Sequence, residues 1–260
     1  MKRQKVRKAI QLVSLLIFPI TLNYFSPYLI IQGSFEGVLT GSGVLFAALF
    51  LFSLVFGRAF CGWLCPAGGL QELCTGIVDK PAGKWQDKIK FFIWIPWFAA
   101  ILSGFVAAGG LKRIDIVYYT ESGISVSAPA GYIVYFSVVG LILVLALTLG
   151  RRSFCHCSCW IAPFIIIGDF VKERLRIPAL RLQGDAGRCV NCGSCDRNCS
   201  MSLPVGNMVK SGEMFHRECI LCGVCADSCP KNAIRLYMGM KQHKEPAVVV
   251  TQRSQSLKGK

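Results

Sequence analysis

The sequence predicts an all-α membrane domain of four transmembrane helices in two internal repeats, followed by a small α+β domain. Three observations lead to this prediction. Hydrophobic residues make up 53% of the 260 residues and charged residues only 17%, whereas a soluble domain carries roughly 25% charged residues. The apolar excess lies in the first two thirds of the chain, and eight of the 14 cysteines form two matching runs behind it. A shorter cysteine pattern recurs within the apolar part.

Four uncharged stretches are long enough to cross a bilayer, which takes about 20 apolar residues as a helix. They cover residues 9–31, 37–57, 91–111 and 128–150. The first stretch is longer than the apolar core of a cleavable signal peptide, so we expect it to span the membrane. Pro19 and Pro27 are expected to kink this helix, which membrane helices tolerate where neighbouring groups satisfy the freed carbonyls.

Basic residues predict the orientation in the membrane. Lysine and arginine cluster before the first span and after the second and fourth spans. The loop after the first span carries only Glu36, and the third loop balances Lys112 and Arg113 against Asp115 and Glu121. Because basic loops stay on the cytoplasmic side, we expect a multi-pass protein of the cytoplasmic (inner) membrane with both termini and the cysteine runs in the cytoplasm. A reducing cytoplasm also suits many free thiols.

The net charge of +15 has two interpretations in this topology. Basic loops hold the cytosolic face against anionic membrane lipid, at roughly 1 kcal/mol for each nearby Lys or Arg. Alternatively, the charge docks an acidic electron carrier such as a flavodoxin or ferredoxin. Nucleic-acid binding is not expected, because no basic recognition element accompanies the charge. Residues 241–260 are polar and basic, and we expect them to form a flexible tail.

The two cysteine runs have identical spacing, C-x-x-C-x-x-C-x-x-x-C, and lie thirty residues apart. This is the ligand pattern of two-cluster bacterial ferredoxins, in which the fourth cysteine of each run ligates the other cluster. The pattern therefore predicts two 4Fe–4S clusters in residues 181–240, after a membrane domain over residues 1–180. The predicted ligands of cluster one are Cys189, Cys192, Cys195 and Cys229. Those of cluster two are Cys219, Cys222, Cys225 and Cys199.

Zinc binding and disulfide bonding fit the cysteine runs less well. Zinc ribbons use two separated pairs of ligands, and a disulfide scaffold does not explain the repeat. We expect a ferredoxin fold of two β-hairpins and short helices, joined to the membrane domain by a linker near residues 180–187. Such a module of about 60 residues has a small core, so cluster ligation should supply much of its folding energy.

A second repeat follows the second and fourth spans. Each span ends in glycine and arginine and continues into Phe-Cys-x-x-x-Cys, and the two cysteine pairs are 94 residues apart. The sequences are Phe60-Cys61-Gly62-Trp63-Leu64-Cys65-Pro66 and Phe154-Cys155-His156-Cys157-Ser158-Cys159-Trp160. The membrane domain is therefore expected to contain two repeat units, residues 9–78 and 91–172, which bring both pairs to the cytosolic membrane surface.

The two pairs offer four thiolates to one centre, because cysteines four residues apart lie on one helical face. Cys61, Cys65, Cys155 and Cys159 suit a 2Fe–2S or 4Fe–4S cluster, or a copper(I) or zinc site. A redox-active dithiol and simple packing of small apolar side chains are the alternatives. Cys157 is a substitute ligand within its pair, and His156 is a candidate ligand or proton acceptor beside it. Two further candidates for accepting protons are Glu72 and Asp169, for which the alternative is surface solvation.

With these motifs the chain resembles polytopic membrane ferredoxins of the NapH and NosR type, and their copper-reducing relative in oxidase assembly, CcoG. The resemblance rests on Cys61-Gly62-Trp63-Leu64-Cys65-Pro66, the partner pair at Cys155 and Cys159, and the double cysteine run, and it covers nearly the whole chain. It implies a subunit of a larger oxidoreductase complex, which exchanges electrons between quinol or a redox partner and the clusters. The chain departs from the pattern at Trp160 and Ser200, where proline is usual.

Absent motifs narrow the function further. None of the three histidines lies in a predicted span and no Cys-x-x-Cys-His motif occurs, so haem is not expected. The outer loops are too short for a flavin domain, so no covalent flavin is expected either. The sequence thus predicts a membrane-bound iron–sulfur electron-transfer protein that works with a quinone pool or a partner reductase. The alternative is a copper or iron reductase, or a metal-handling assembly factor, that uses the membrane cysteine pairs.

Overall fold

A computed structural model describes residues 2–83 and 85–240 of the chain. The predicted tail at residues 241–260 lies outside the described residues. The described part is mostly helical, with two small two-stranded sheets.

The membrane part contains helices of very different length. They are α1 (Lys2–Leu16), α2 (Phe18–Thr21), α3 (Pro27–Glu36), α4 (Gly41–Phe56), α5 (Ala59–Trp63), α6 (Pro66–Cys74), α7 (Gln86–Ala107), α8 (Pro129–Leu149), α9 (Ser153–Cys157) and α10 (Ile161–Leu175), with a 3₁₀ turn at Leu22–Phe25. Two short strands, β1 (Val38–Thr40) and β2 (Arg113–Asp115), pair in parallel and join the loops that follow α3 and α7.

Two helices of the described chain, α7 and α8, are long and apolar enough to cross a membrane. They overlap the spans predicted at 91–111 and 128–150. Their outward faces are apolar: Phe92 is 82% and Val106 80% exposed, as expected of side chains that hydrocarbon would cover. The structure thus supports a membrane protein, while the number of four spans stays a prediction.

The first two predicted spans differ from straight, full-length helices. A third crossing is reached only if α1 and the segment Phe18–Phe25, bent by 60°, are counted together. Pro19 lies in the first turn of α2, and Pro27 opens α3 behind the capping side chain of Ser26. Proline lacks an amide donor and so favours such helix starts. Helix α4 has 16 residues, or about 24 Å at 1.5 Å per residue.

Two glycines turn the chain from the longer helices to the cysteine pairs. Gly57 ends α4 at a φ of 55° and Gly150 ends α8 at a φ of 104°, a region that glycine enters without steric cost. Helix α5 follows the first turn and α9 the second. Helix α10 packs on α4, and α6 packs on α1 and α8. The two turns therefore deliver both cysteine pairs to the same end of the bundle.

The cysteine-rich part begins with a strand where the sequence analysis expected a linker. Its elements are β3 (Ala179–Gly184), a 3₁₀ turn (Ala186–Arg188), α11 (Ser194–Arg197), α12 (Val205–Ser211), α13 (Val224–Asp227) and β4 (Ile234–Gly239). Strands β3 and β4 are antiparallel, with Ala179 opposite Gly239 and Gly184 opposite Ile234.

The predictions of a linker and of two β-hairpins were wrong in detail. In this part of the described chain the sheet is a single antiparallel pair of strands, formed by the two ends of the module. Leu180, Arg181, Leu182 and Gln183 alternate apolar and polar side chains, a strand pattern that the linker assignment overlooked. The predicted domain boundary at residue 180 thus falls inside β3.

Candidate metal centres

The four cysteines predicted for cluster one surround one cavity. Cys189, Cys192, Cys195 and Cys229 line a cavity of about 90 Å³. Cys192 is exposed, and the other three are partly exposed. The backbone amide of Ala233 points at the Cys229 sulfur, 3.3 Å away. This arrangement suits an anionic cluster near the protein surface, because amide donors and water both stabilise negative sulfur.

The four cysteines predicted for cluster two surround a second, smaller cavity. Cys199, Cys219, Cys222 and Cys225 line about 20 Å³ of space walled by apolar side chains. The apolar wall is formed by Leu182, Met201, Leu203, Val205, Met208 and Ile220. The amide of Leu203 points at the Cys199 sulfur at 3.4 Å, which repeats the relation between Ala233 and Cys229. The second cavity is therefore the drier of the two.

The two cysteine loops share one backbone shape. Asn191 has a φ of 55° and Gly193 of 67°, and the equivalent Leu221 and Gly223 have φ values of 49° and 74°. A leucine at positive φ is rare and costs conformational energy. The second loop nevertheless keeps the turn that brings its cysteines around the cavity.

Burial makes the thiols of the second cavity poor acids. Burial raises the pKa of Cys219 to about 12, and it also raises the pKa of Cys199 and Cys225. Binding a metal ion deprotonates a thiol outright, which removes this cost. All 14 cysteines of the chain are free of disulfides. The donor sets thus fit thiolate-ligated iron–sulfur clusters and do not fit a disulfide scaffold.

The structure brings the two membrane cysteine pairs together. Cys61 lies in α5, Cys65 precedes α6, Cys155 lies in α9, and Cys159 follows α9; all four are buried. Burial raises the pKa of Cys65, and the nearby Cys61, Cys155 and Cys159 raise it further. The side chain of Gln71 donates to the Cys155 sulfur at 3.2 Å. The four sulfurs therefore form one buried group within electrostatic reach of each other.

Two further cysteines differ from this group in their surroundings. Cys157 is buried; burial raises its pKa, the charge of Lys90 lowers it, and Asp87 and Cys155 raise it. Cys157 thus lies between the sulfur group and the charged side chains of Lys90 and Asp87. Cys74, at the end of α6, is buried as well.

The loop of cluster two packs directly on the first membrane cysteine pair. A Cβ atom placed on Gly62 would lie well inside 3.0 Å of the Ile220 carbonyl oxygen and 3.4 Å from the Cα of Cys222. Trp63 donates from Nε1 to the Leu221 carbonyl at 3.2 Å. Only glycine permits this approach between Cys61 and Cys65. The second cavity and the membrane cysteines are therefore neighbours.

Buried ion pairs surround the membrane cysteines. Arg152 donates to the Cys61 carbonyl at 2.8 Å and to Glu72 at 2.7 Å, and Arg7 also pairs with Glu72. Burial raises the pKa of Glu72, but Arg152 and Arg7 lower it more, to about 2. Glu72 is thus a permanent anion and not a proton acceptor at neutral pH. Asp169 is likewise buried and paired with Lys172. Surface solvation, one of the two roles considered for these acids, therefore applies to neither of them.

A second ion-pair group also adjoins the membrane cysteines. Glu218 accepts from Arg58 at 2.7 Å and from Lys90 at 2.5 Å, and all three side chains are fully buried. Burial raises the pKa of Glu218, and Arg58 and Lys90 lower it, to about 2. Sequence reasoning missed these groups. The one available signal was that Arg58 and Arg152 each precede the first cysteine of a pair by three residues.

His156 adjoins this second group. Its Nδ1 atom hydrogen-bonds Asp87, and ligand-capable atoms of Asp87, His156 and Glu218 lie within 4.8 Å of one another. The ammonium of Lys90 and the guanidinium of Arg58 already bind Glu218. A metal cation there would face two fixed positive charges, so we interpret this group as an ion-pair network.

Known protein families match both cysteine regions. Residues 39–84 and 130–178 match a family described as a 4Fe-4S binding domain, and residues 188–234 match a 4Fe-4S dicluster domain. No solved structure matches the chain significantly.

Several curated proteins are similar over most of the chain. YccM of Escherichia coli is 27% identical over 78% of this chain and 57% of its own length. The methylamine utilization ferredoxin-type protein MauN of Methylorubrum extorquens is 27% identical, over 82% of this chain and 74% of its own. The ferredoxin-type protein NapH of Haemophilus influenzae is 24% identical, over 73% and 66%. The chain thus spans little more than half of YccM.

The matches agree with the cysteine chemistry derived above. A dicluster domain covers both cysteine runs, and the named relatives include ferredoxin-type proteins. Long apolar helices accompany these domains in the same chain. The chain is an iron–sulfur protein with two 4Fe–4S clusters, and it is similar to NapH-type membrane ferredoxins.

Proposed function

We propose that the protein relays electrons along three neighbouring centres: cluster one, cluster two, and a further metal centre at the membrane cysteines. The relay connects a redox partner at the cytosolic face with a quinone pool or a partner reductase in the membrane. The contact of Gly62 with the Ile220–Cys222 loop carries this proposal, because it places the backbone between Cys61 and Cys65 directly against the backbone of the cluster-two loop. Centres whose ligand loops touch are close enough to exchange electrons.

The ligand assignment is part of the proposal. Cluster one is held by Cys189, Cys192, Cys195 and Cys229, and cluster two by Cys219, Cys222, Cys225 and Cys199. Each set lines its own cavity, which favours the crossed assignment of the fourth cysteines. The alternative, in which each run keeps its own fourth cysteine, would require sulfurs from different cavities to share a cluster.

The further centre is proposed at Cys61, Cys65, Cys155 and Cys159. Its support is the burial of four thiols in one group and the match of a 4Fe-4S binding domain to the two segments that contain them. A cluster bound there would supply one-electron chemistry at the membrane surface. The protein would contribute four ligands from two equivalent turns.

The proposed placement in the membrane follows the sequence analysis. Four crossings put both termini and the clusters in the cytoplasm, with α4 as a short second crossing and α1 with Phe18–Phe25 as a bent first one. The boundary between the membrane and ferredoxin domains is proposed near Pro178, because β3 pairs with β4.

The redox partner is proposed to dock over cluster one. Cys192 is exposed there beside the exposed Val190, and Arg188, Lys210 and Lys231 are exposed nearby. An acidic carrier such as a flavodoxin or ferredoxin, or an acidic face of a reductase subunit, complements these charges. Docking at the exposed cluster leaves cluster two to exchange electrons with the centre at the membrane cysteines.

A metal-handling function is the second candidate. The four membrane thiols are soft ligands that suit copper(I), and all are free of disulfides. In this function the clusters would deliver electrons to reduce a copper or iron ion at the thiol site, and the ion would then be released to an assembling enzyme.

Iron analysis tests the relay directly. Iron and labile sulfide are measured on anaerobically purified protein and on a variant with Cys61, Cys65, Cys155 and Cys159 changed to serine. Both samples are then reduced and compared by electron paramagnetic resonance, and their reoxidation by a quinone analogue is followed. We expect the variant to lose iron and one signal, to keep both ferredoxin clusters, and to react slowly with quinone.

Three results are informative. Equal iron in both proteins would contradict the further cluster. Equal iron together with copper(I) binding by the wild type alone would favour the metal-handling function. Reduced clusters that neither quinone nor a soluble carrier reoxidises would contradict the relay itself.

A further inference from the structure

Arg58 and Arg152 occupy equivalent places in the two halves of the membrane domain. Each lies three residues before the first cysteine of its pair, and each has no solvent-exposed surface. Arg152 donates to the Cys61 carbonyl at 2.8 Å, and the amide of Cys61 donates to the Arg58 carbonyl at 3.0 Å. Both arginines therefore lie beside the same buried sulfur group.

The carboxylates that pair with these arginines are shared. Glu218 binds both Arg58 and Lys90, and Glu72 binds both Arg152 and Arg7. Each carboxylate thus faces two cations. Asp87, which hydrogen-bonds His156 and lies with it within 4.8 Å of Glu218, balances the second cation of the Glu218 group. The Glu72 group is left with one positive charge in excess. Unpaired buried charge is costly, so an additional anion beside this group would be stabilised.

Both arginines also have buried N–H donors without a hydrogen-bond acceptor. Among the described residues, Nε and Nη2 of Arg58 and Nε of Arg152 have no hydrogen-bond acceptor although they are buried. Buried donors without acceptors are rare in proteins. Arg7 differs, because its guanidinium donates to Gln4, Gln11, the Gly62 carbonyl and Glu72. Among the buried arginines of the described chain, the donors without an acceptor thus belong to the two arginines of the repeat.

We propose that Arg58 and Arg152 are paired positioning residues that hold an anionic metal–thiolate centre at the membrane cysteines and raise its reduction potential. This inference rests on the proposed function, since it requires that centre. Four thiolates outweigh the positive charge of a 2Fe–2S or 4Fe–4S core, so the centre is a net anion. Reduction adds one more negative charge, which nearby cations stabilise. Neutral thiols or a dithiol would leave the excess positive charge uncompensated.

Both arginines also lie beside the loop of cluster two. Arg152 donates to the Cys61 carbonyl at 2.8 Å, next to Gly62, which packs on Ile220 and Cys222. Arg58 donates to the Arg217 carbonyl and to Glu218 at 2.7 Å, directly before Cys219. Each arginine is therefore expected to favour reduction of cluster two as well as of the membrane centre.

The test is a redox titration of the full chain in detergent, followed by electron paramagnetic resonance. The variants are Arg58→Gln and Arg152→Gln, with Arg58→Lys and Arg152→Lys to keep the charge. Arg181→Gln is the matched control, because Arg181 is likewise a buried arginine paired with a carboxylate, Glu173, but its other contacts are the Ile177 and Gly239 carbonyls.

We expect each glutamine variant to lower the reduced fraction of the membrane centre at least tenfold at fixed potential, a shift of about 59 mV for one electron. The lysine variants should recover most of that shift, and Arg181→Gln should change the reduced fraction of the membrane centre less than threefold. Both glutamine variants should also shift cluster two.

The outcomes separate this inference from the proposed function. An intact membrane centre with unchanged potential in both glutamine variants would overturn the inference alone. A wild type without a third signal would overturn both. Should the glutamine variants lose the centre but keep both ferredoxin clusters, its return in the lysine variants would support the inference. Its absence there too would overturn it.

Discussion

Adding one methyl group at Gly62 should separate cluster two from the membrane cysteines. The Cβ of Gly62→Ala would overlap the Ile220 carbonyl oxygen and touch Cys222. Carbon and carbonyl oxygen meet at about 3.3 Å, so the loop must retreat by about 1 Å. Overpacking of this kind costs about 1–3 kcal/mol. For a domain of this size we expect the melting temperature to fall by about 4–8 °C for a cost of 2 kcal/mol.

Two measurements test this prediction: the melting temperature and the rate of electron transfer. Melting is followed on the anaerobic holoprotein, and the rate from cluster two to the membrane centre is followed by rapid-freeze paramagnetic resonance. Gly76→Ala is the control, because its Cβ would meet the Leu73 carbonyl at an ordinary 3.5 Å. We expect a lower melting temperature and slower transfer in Gly62→Ala alone. Wild-type values for both quantities would show that this contact does not join the two centres.

Three further predictions concern single groups. Cys225→Ser should remove about half of the ferredoxin iron and the signal of the buried cluster, while the exposed cluster remains; loss of both signals would contradict separate cavities. The ion pairs of Glu72 should stabilise the fold at neutral pH. This stability is lost as the pH falls from 4.5, the ordinary pKa of the group, to about 2, because protonation breaks the ion pairs. Glu72→Gln should make the melting temperature depend less on pH over that range. Anaerobic removal of iron should unfold residues 179–240, and a well-dispersed spectrum of iron-free protein would refute this.

The cysteine chemistry could be predicted from the sequence because it depends on local spacing. The runs at Cys189 and Cys219 recur with one spacing, and the pairs at Cys61 and Cys155 follow equivalent helix ends. Apolar length also predicted α7 and α8. The family matches confirm the two 4Fe–4S clusters and the resemblance to membrane ferredoxins.

Long-range pairing could not be predicted from the same sequence. Arg58 and Glu218 are 160 residues apart, and nothing in either local sequence identifies the other. Tertiary contacts likewise decide which segment the strand at Leu180 pairs with, because its partner at Met238 lies at the end of the module. The break in the first helix depends on Pro19, whose position showed that a bend would occur but not its angle.

The junction between the two domains contains ion pairs of very different exposure, and this difference predicts how much each pair contributes to stability. Arg3 and Asp227 pair at 2.8 Å, but their side chains are 35% and 20% exposed. Such a pair contributes about 0–1 kcal/mol. Glu218 is fully buried between Arg58 and Lys90, and removing one partner of a buried pair costs about 3–5 kcal/mol.

We therefore expect Glu218→Gln to lower the melting temperature of the holoprotein by about 10 °C, and Asp227→Asn by no more than about 4 °C. Both substitutions remove one negative charge, so a general effect of net charge would shift the two variants equally. An equal shift would mean that the junction depends on overall charge. A larger shift for Asp227→Asn would mean that the start of α1, and not the buried arginine, holds the ferredoxin module to the membrane domain.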